Sequence, residues 1–145
     1  MELKRLNSEE IEDVLSLLKE FTYDTTGVDD AWTYEELINM INSDNDINLG
    51  LYIEEKLIGL VLTHCYNAAN KVYVENIIVS KEYQRQGYGT RLLLELISEY
   101  SKKGNYRFVA LVNKKNVASR KLFSKIYEQG QSMIWFQRKK EKQIG

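Results

Sequence analysis

The stretch YQRQGYGT, residues 83–90, joins the two most clearly patterned segments of this chain. Before it, Val72–Val79 is an apolar, β-branched segment that is typical of a buried strand. After it, apolar residues recur at positions 92, 93, 96, 97 and 100, which is the spacing of one helix face. Gly87 and Gly89 are therefore predicted to lie in a short connection from a strand to a helix.

A strand-to-helix connection with two glycines is suited to binding a phosphate group. Glycine permits positive φ angles and lets a ligand approach the backbone closely. The first amides of a helix lack intrahelical acceptors, and the helix dipole is positive there. Gly-x-Gly alone is more often a tight turn that packs a helix on a strand. The chain contains neither Gly-x-Gly-x-x-Gly nor Gly-x-x-x-x-Gly-Lys-Ser/Thr, two well-known phosphate-binding loops.

The spacing Gln84-x-x-Gly87-x-Gly89 resembles the acetyl-CoA loop of the GNAT family of N-acetyltransferases. That loop reads Gln/Arg-x-x-Gly-x-Gly/Ala and lies between a strand and a helix. The longer run VYVENIIVSKEYQRQGYGTRLLLELI, residues 72–97, resembles the same family segment almost throughout. The resemblance covers roughly residues 2–138 and implies that acetyl-CoA is the co-substrate.

The resemblance also implies which residues hold the cofactor. The pantetheine arm is expected at the end of the strand, and the pyrophosphate is expected at residues 84–90. The expected cofactor-binding residues are Ile77, Ile78, Val79, Gln84, Arg85, Gln86, Gly87, Tyr88, Gly89, Thr90, Asn116 and Ser119.

Length and composition indicate an ordinary globular protein. The 145 residues predict a single domain over residues 1–145, with 139–145 as a frayed tail. Hydrophobic residues make up 43% of the chain and charged residues 28%, which is typical of soluble proteins. One cysteine excludes an intramolecular disulfide and favours a reducing compartment. No apolar run is long enough to span a membrane, so a cytoplasmic location is expected.

Charge is distributed unevenly along the chain. Residues 1–70 hold 15 acidic and 4 basic side chains, whereas residues 71–145 hold 6 and 16. The basic half contains the predicted phosphate loop, which suits a polyanionic cofactor. The acidic half is then expected to face the second substrate, although solvated faces explain the pattern equally well. The basic residues lack an aromatic platform pattern, so nucleic acid is not an expected partner. A membrane is not an expected partner either. The expected oligomeric state is a monomer or homodimer.

Hydrophobic periodicity predicts a strand, two helices, three strands, a helix, a strand, a helix and a strand. This order indicates an α+β fold, a three-layer α/β arrangement whose mostly antiparallel mixed sheet of about six to seven strands is flanked by helices. It is also the element order of the GNAT fold, in which the sheet is splayed at its central strands. The predicted strands are residues 2–6, 47–53, 57–66, 72–79, 106–112 and 133–136. The predicted helices run over 8–21 with Ser8 as the N-cap, over 34–41 with Thr33 as the N-cap, from 91 to about 102, and from 116.

Acetyl transfer to an amine requires a group that removes a proton. An amine with a pKa of about 10.4 costs roughly 4.6 kcal/mol to neutralise at pH 7. Glu75 is the candidate base, since a carboxylate in an otherwise apolar strand must be partnered or used. A surface position or a pair with Lys71 remains an alternative. Asn76 is a candidate for orienting the substrate, and strict alternation would put it on the opposite face from Glu75.

The acid that protonates the departing thiolate is not obvious. In the family, a tyrosine usually follows the helix-heading Asn by seven positions, and here that position is Phe123. Tyr127 lies one turn later and is the candidate acid, although Tyr127-Glu128 replaces the Gly-Phe pair usual in the family. Unassisted departure of a thiolate with a pKa near 8.5 is a second possibility. A domain that binds CoA and catalyses little is the third.

The remaining candidates concern the acceptor and metal binding. Asp29, Asp30 and Trp32 are expected to contact the acceptor, which is predicted to be a small cationic amine, although core packing explains Trp32 equally well. His64 and Cys65 are adjacent in a predicted strand, point to opposite faces and are expected to be structural. No metal ligand set is predicted. The hypotheses are therefore an acetyl-CoA-dependent N-acetyltransferase and, as the alternative, a CoA-binding regulatory or sensing module.

Overall fold

The computed structural model describes residues 1–21, 33–113, 117–128 and 133–138, and describes only the backbone of 111–113, 127–128 and 133–138. Six strands form one sheet in chain order: β1 Glu2–Arg5, β2 Leu49–Ile53, β3 Lys56–Tyr66, β4 Lys71–Val79, β5 Arg107–Asn113 and β6 Met133–Arg138. The helices are α1 Ile11–Lys19, α2 Tyr34–Ile41, α3 Tyr88–Ser101 and α4 Val117–Glu128. Pairing from β1 to β4 is antiparallel, and β4–β5 and β5–β6 are parallel. The predicted element order and α+β class are confirmed.

Helices cover both faces of the sheet. Leu93 and Tyr100 of α3 and Phe123 of α4 belong to the core on one face. Val14 of α1 and Leu37 of α2 belong to the core on the other face. The apolar stripes of the four helices thus make the three layers that the sequence predicted.

The predicted first helix opens with a 3₁₀ turn over Ser8–Glu10 before α1, and its cap differs from the prediction. Asn7, not Ser8, is the N-cap, because its extended backbone lets the side chain accept a hydrogen bond from Glu9 N at 2.9 Å. The Asn7 amide donates in turn to Glu10 Oε1 at 3.3 Å, which completes a capping box around a short 3₁₀ turn. The cap predicted at Thr33 is confirmed, with Glu36 in the matching role.

Strand β2 begins at Leu49 rather than at Ile47, because side chains replace the backbone partners of β3 there. Asn48 Oδ1 accepts the Thr63 amide at 2.8 Å, and Asp46 Oδ1 accepts the Cys65 amide at 2.7 Å. Residues 46–48 therefore continue along β3 without forming a ladder. This arrangement buries the Asp46 carboxylate against the sheet.

The sheet splays between β4 and β5. Their pairing runs from Lys71↔Arg107 to Val74↔Ala110 and goes no further. Strand β4 continues to Val79 beside β3 alone. Beyond Val74, β5 no longer covers this edge of β4, so an extended ligand can lie along it.

A buried hydroxyl network ties α3 to β3. The Tyr100 hydroxyl accepts the Ile47 amide at 2.9 Å and lies 2.6 Å from Thr63 Oγ1. Thr63 Oγ1 also donates to Ile47 O at 2.6 Å, which uses its only proton, so Tyr100 donates to Thr63. Burial raises the pKa of Tyr100 to about 12, so the phenol stays neutral and able to donate at neutral pH.

Replacing Tyr100 by Phe should destabilise the fold by about 1–3 kcal/mol, because the buried Ile47 amide and Thr63 hydroxyl each lose a partner. Urea unfolding monitored by circular dichroism measures the change. Tyr106→Phe is the matched control, since the Tyr106 hydroxyl bonds to Asn67 at an exposed position and its loss should cost under about 0.5 kcal/mol. Equal losses in the two variants would contradict the role given to the buried network.

Candidate functional site

The connection from β4 to α3 is shaped by its own hydrogen bonds. The Ser80 amide donates to Ile58 O at 2.7 Å, which keeps the end of β4 on β3. Gln84 Nε2 donates to Val79 O at 2.9 Å, so this side chain folds back on the strand. Arg85 and Gly87 adopt positive φ angles of 64° and 84°. The two left-handed residues turn the chain sharply into the helix.

Helix α3 begins at Tyr88, three residues earlier than the sequence predicted. Its N-cap, Gly87, offers no side-chain oxygen, and the first helical bond runs from Arg91 N to Gly87 O at 3.1 Å. The amides of Tyr88, Gly89 and Thr90 therefore precede the first helical donor and lack intrahelical acceptors. Together with the positive end of the helix dipole, they present hydrogen-bond donors of the kind that suits an anion.

The two glycines have different roles. A Cβ at Gly87 would meet nothing within 4 Å, so open space lies beside this left-handed residue. A Cβ at Gly89 would lie 3.4 Å from Leu122 Cδ2 and 3.9 Å from Val79 Cγ2. Gly89 is thus a helical residue at which a Cβ would fit between α3, α4 and β4, and the prediction that it lies in the connection is wrong.

The other predicted cofactor residues divide by their positions. Ile77, Ile78 and Val79 are half-buried in the part of β4 that pairs with β3 but no longer with β5, beside the splay. Arg85 and Gln86 are exposed in the connection, and Ser119 is half-buried on α4. Asn116 lies outside the described residues. The described members surround one region, from the splay to the start of α3.

Glu75 lies at a β-bulge in β4. Leu62 pairs with Asn76 whereas Thr63 pairs with Val74, so Glu75 is an extra residue with no partner on β3. The expected separation of Glu75 and Asn76 by strict alternation does not hold here, because the bulge interrupts the alternation between them. Asn76 shares a face with its partner Leu62, which belongs to the core beneath α1 and α2.

The Glu75 carboxyl is electrostatically perturbed although the residue is exposed by surface area. Desolvation by the surrounding protein raises its pKa, Asp46 raises it further, and His64 lowers it. Lys71 is not among the groups that shift it, so the predicted alternative of a Lys71 pair receives no support within the described part of the chain. A raised carboxyl pKa moves the group towards the range of a useful proton acceptor at neutral pH.

The predicted acid and acceptor residues are only partly visible. Phe123, at the position usual for a tyrosine, is buried in the core. Tyr127 lies in α4, but its side chain is outside what the structure describes. The predicted acceptor residues Asp29, Asp30 and Trp32 lie outside the described residues.

Asp46 and His64 are the residues that the sequence did not place at the site. Asp46 Oδ2 lies 3.5 Å from His64 Nδ1. Both side chains shift the pKa of the Glu75 carboxyl, which His64 lowers and Asp46 raises. The sequence does contain a single histidine in a predicted strand and an acidic residue just before the preceding strand. No fixed spacing relates the two residues, so the sequence pattern could not pair them. In the described ranges no group of three or more His, Cys, Asp or Glu side chains is arranged to hold a metal ion. No described helix is both long and apolar enough to cross a membrane.

Comparison with known proteins gives a family match over most of the chain. The model of the acetyltransferase (GNAT) family matches residues 11–127. No curated protein sequence matches the chain.

Several solved structures share the fold. PaiA N-acetyltransferase from Thermoplasma acidophilum, in complex with coenzyme A, has a TM-score of 0.73 and 23% identity, covering 88% of this chain and 87% of that chain. Diaminobutyrate acetyltransferase EctA from Paenibacillus lautus, with its substrate and coenzyme A, has a TM-score of 0.73 and 19% identity over 88% and 75%. An aminoglycoside acetyltransferase from an uncultured soil metagenomic sample has a TM-score of 0.72 and 16% identity over 97% and 96%.

Replacing each glycine by alanine should change stability in opposite directions. Gly87→Ala should cost about 1–2 kcal/mol, because an L-residue at this positive φ is strained. Gly89→Ala should be neutral or stabilising by up to about 1 kcal/mol, because alanine favours a helix and its Cβ meets Leu122 at ordinary contact distance. Chemical denaturation of both variants measures this. The roles assigned here fail if Gly89→Ala is the more damaging change.

Proposed function

The chain belongs to the acetyltransferase (GNAT) family, and from that premise we propose that it transfers acetyl from acetyl-CoA to a primary amine of a small cationic molecule. The transfer proceeds by direct attack of the amine in a ternary complex. The observation that carries the proposal is the bulge that places Glu75 at the point where β4 leaves β5. The unit of function is one domain over residues 1–145, as a monomer or homodimer in the cytoplasm.

The cofactor's two ends match two features of the protein. The free amides at the start of α3 suit the pyrophosphate, which is doubly charged and rich in acceptors. The edge of β4 beyond Val74, which β5 does not cover, suits the pantetheine arm, whose amides can pair with a strand. With the arm in the splay, the thioester lies near the bulge. This puts the reacting carbonyl beside Glu75.

Glu75 is the proposed base. Its raised pKa reflects an environment that favours the protonated carboxyl more than water does, which brings the group closer to the amine in proton affinity. Removal of the ammonium proton gives the neutral amine, which attacks the thioester carbonyl. Asn76, on the face beneath α1 and α2, is proposed to orient the acceptor.

The departing thiolate is proposed to leave unassisted or to take a proton from Tyr127. Phe123 has no proton to give and is buried, so the position usual for the family's acid cannot serve. A thiol pKa near 8.5 makes the thiolate a fair leaving group without an acid. Tyr127 follows one turn later on α4 and is the candidate donor.

The acceptor is proposed to be a cation with more than one amino group. The first 70 residues carry a large excess of acidic side chains, and the predicted contacts Asp29, Asp30 and Trp32 lie among them. An acidic surface draws cations towards the cleft. Among proteins of the same fold, one is named a diaminobutyrate acetyltransferase and another an aminoglycoside acetyltransferase, and both names denote amines of this kind.

The second candidate is a CoA-binding regulatory or sensing module with little catalysis. The observation that favours it is Phe123 at the position usual for the acid. The two candidates share cofactor binding and differ in turnover. A panel of polyamines, aminoglycosides, amino acids and N-terminal peptides, assayed with acetyl-CoA by release of free thiol, separates them.

Acetyl-CoA should stabilise the protein by about 2.7 kcal/mol at a hundredfold excess over its dissociation constant, because it binds only the folded state. Thermal unfolding with and without the cofactor measures the shift. Gly87→Val should abolish it, because a β-branched residue cannot hold the left-handed turn that presents the α3 amides. Gly104→Val, in the exposed turn after α3, is the matched control and should keep the shift. A wild-type melting temperature unmoved by millimolar acetyl-CoA would refute the cofactor assignment.

Glu75→Gln should lower turnover roughly 100-fold at neutral pH while acetyl-CoA affinity stays nearly unchanged, as expected for loss of a general base. The deficit should shrink as pH approaches the pKa of the amine, about 10.4 for a lysine-like group, where free base exists already. Steady-state rates across pH, with the acceptor varied, measure it.

Glu99→Gln is the control for this substitution and should retain wild-type rates, because half-buried Glu99 pairs with Lys102 at the other end of α3 from the proposed cofactor site. A deficit of the same size at every pH would mean that Glu75 acts through structure and is not the base.

A further inference from the structure

We propose that His64, held in place by Asp46, takes the proton that Glu75 removes from the acceptor and passes it to solvent. The inference rests on the function proposed above, and it adds two residues to the acceptor side of the site. The proposed reaction assigns no role to one pair of side chains beside the site. A buried carboxylate lies against the chain's single histidine, next to the candidate base.

A backbone hydrogen bond holds the Asp46 side chain independently of its contact with His64. Its Oδ1 accepts the Cys65 amide at 2.7 Å, and the residue is only 7% exposed. Its second oxygen, Oδ2, lies 3.5 Å from His64 Nδ1. A buried carboxylate beside Nδ1 favours a proton on that nitrogen, which leaves Nε2 as the accepting atom. The Nδ1 side of the ring therefore faces a buried carboxylate that the Cys65 amide holds in place.

The other surroundings of His64 hold the ring open to water. Its side chain is 45% exposed, and the ring packs edge-on against Tyr66 with centroids 4.6 Å apart. Tyr66 in turn packs against Tyr73, its ring 5.2 Å away. The imidazole is thus restrained on one side by an aromatic pair and exposed on another, as a group that exchanges protons with solvent must be.

The register of the sheet brings His64 towards Glu75. His64 pairs with Tyr73, and Glu75 follows Tyr73 by two residues, which makes it the diagonal neighbour of His64. Diagonal neighbours in an antiparallel pair lie about 7–8 Å apart, within reach of long side chains. Cys65 belongs to the core on the α3 side, so His64 points to the face beneath α1 and α2, which it shares with Asn76.

In the part of the chain that the structure describes, the titratable groups on this face are Asp46 before β2, His64 and Tyr66 on β3, and Lys71, Tyr73 and Glu75 on β4. Glu20 at the end of α1 bonds to Ser80, and Glu36 in α2 closes the cap at Thr33. The Glu75 carboxyl feels Asp46 and His64 with opposite signs.

The proton path balances. The acceptor's N–H bond breaks and an O–H bond forms on Glu75, which leaves the neutral amine that attacks the thioester. The O–H bond then breaks and an N–H bond forms at His64 Nε2, which restores the carboxylate. The imidazolium so formed, beside the Asp46 carboxylate, releases its proton to water. Both side chains reach solvent, so a water molecule can bridge them.

His64→Gln and Asp46→Asn test the inference through the pH dependence of kcat/KM for the acceptor. Both should lower kcat about tenfold with an unchanged KM for acetyl-CoA. The acidic limb, which reports Glu75, should move to higher pH in His64→Gln and to lower pH in Asp46→Asn, because the first removes an influence that lowers the Glu75 pKa and the second removes one that raises it. Asparagine keeps an oxygen for the Cys65 amide.

Chemical rescue gives a readout that a structural role would not move. Imidazole added to His64→Ala should restore several-fold of the lost rate, since it can occupy the space left by the side chain and accept the proton. It should not stimulate the wild type or Glu75→Gln. Rates and pH limbs within error of the wild type in His64→Gln, with no rescue of His64→Ala, would overturn the inference.

A second measurement keeps the inference testable apart from the proposed function. If the wild type acetylates no amine, the proposed function fails, and the pairing of charges is then judged without turnover. The Glu75 carboxyl carbon can be titrated by ¹³C NMR in the wild type, His64→Gln and Asp46→Asn, with Glu75→Gln used to assign the signal. Opposite displacements of its titration in the two variants support the coupling, and no displacement in either overturns it.

Discussion

The hydrogen bond between Tyr100 and Thr63, at 2.6 Å, is the constraint on which the site depends. It joins the last full turn of α3 to β3 at the residue where the register with β4 shifts. The first turn of the same helix presents the free amides of the anion site. One helix therefore sets the distance between the amides proposed to bind the cofactor and the bulge that carries Glu75.

The same part of β3 explains why charge accumulates at the bulge. Residues 46–48 run beside β3 and satisfy its amides with side chains, so an acidic group enters the sheet edge as a structural partner. Asp46 uses one oxygen for the Cys65 amide and keeps the other for His64. The acceptor of this hydrogen bond thus also acts on Glu75, whose pKa is raised first by desolvation and further by Asp46.

Local pattern predicted the element order and the strand–turn–helix at residues 72–97, because periodicity and glycine placement are local properties. The pattern predicted that α3 starts at residue 91, whereas the helix starts at Tyr88. The earlier start is possible because Gly87, in the left-handed conformation, turns the chain directly into the helix. The bulge at Glu75 depends on the register of two strands, which no single segment encodes. The partnership of Asp46 and His64 joins residues 18 positions apart and arises only when residues 46–48 lie along β3.

The central claim is that acetyl-CoA binds with its pyrophosphate at the start of α3 and its pantetheine arm along the edge of β4 that β5 does not cover. Amide hydrogen exchange, followed residue by residue by NMR with and without CoA, tests this most directly. The account predicts new protection at Tyr88, Gly89 and Thr90 and in residues 75–79, with little change in β1 and β2. Protection confined to other surfaces, or unchanged exchange at the start of α3 with CoA bound, would contradict it.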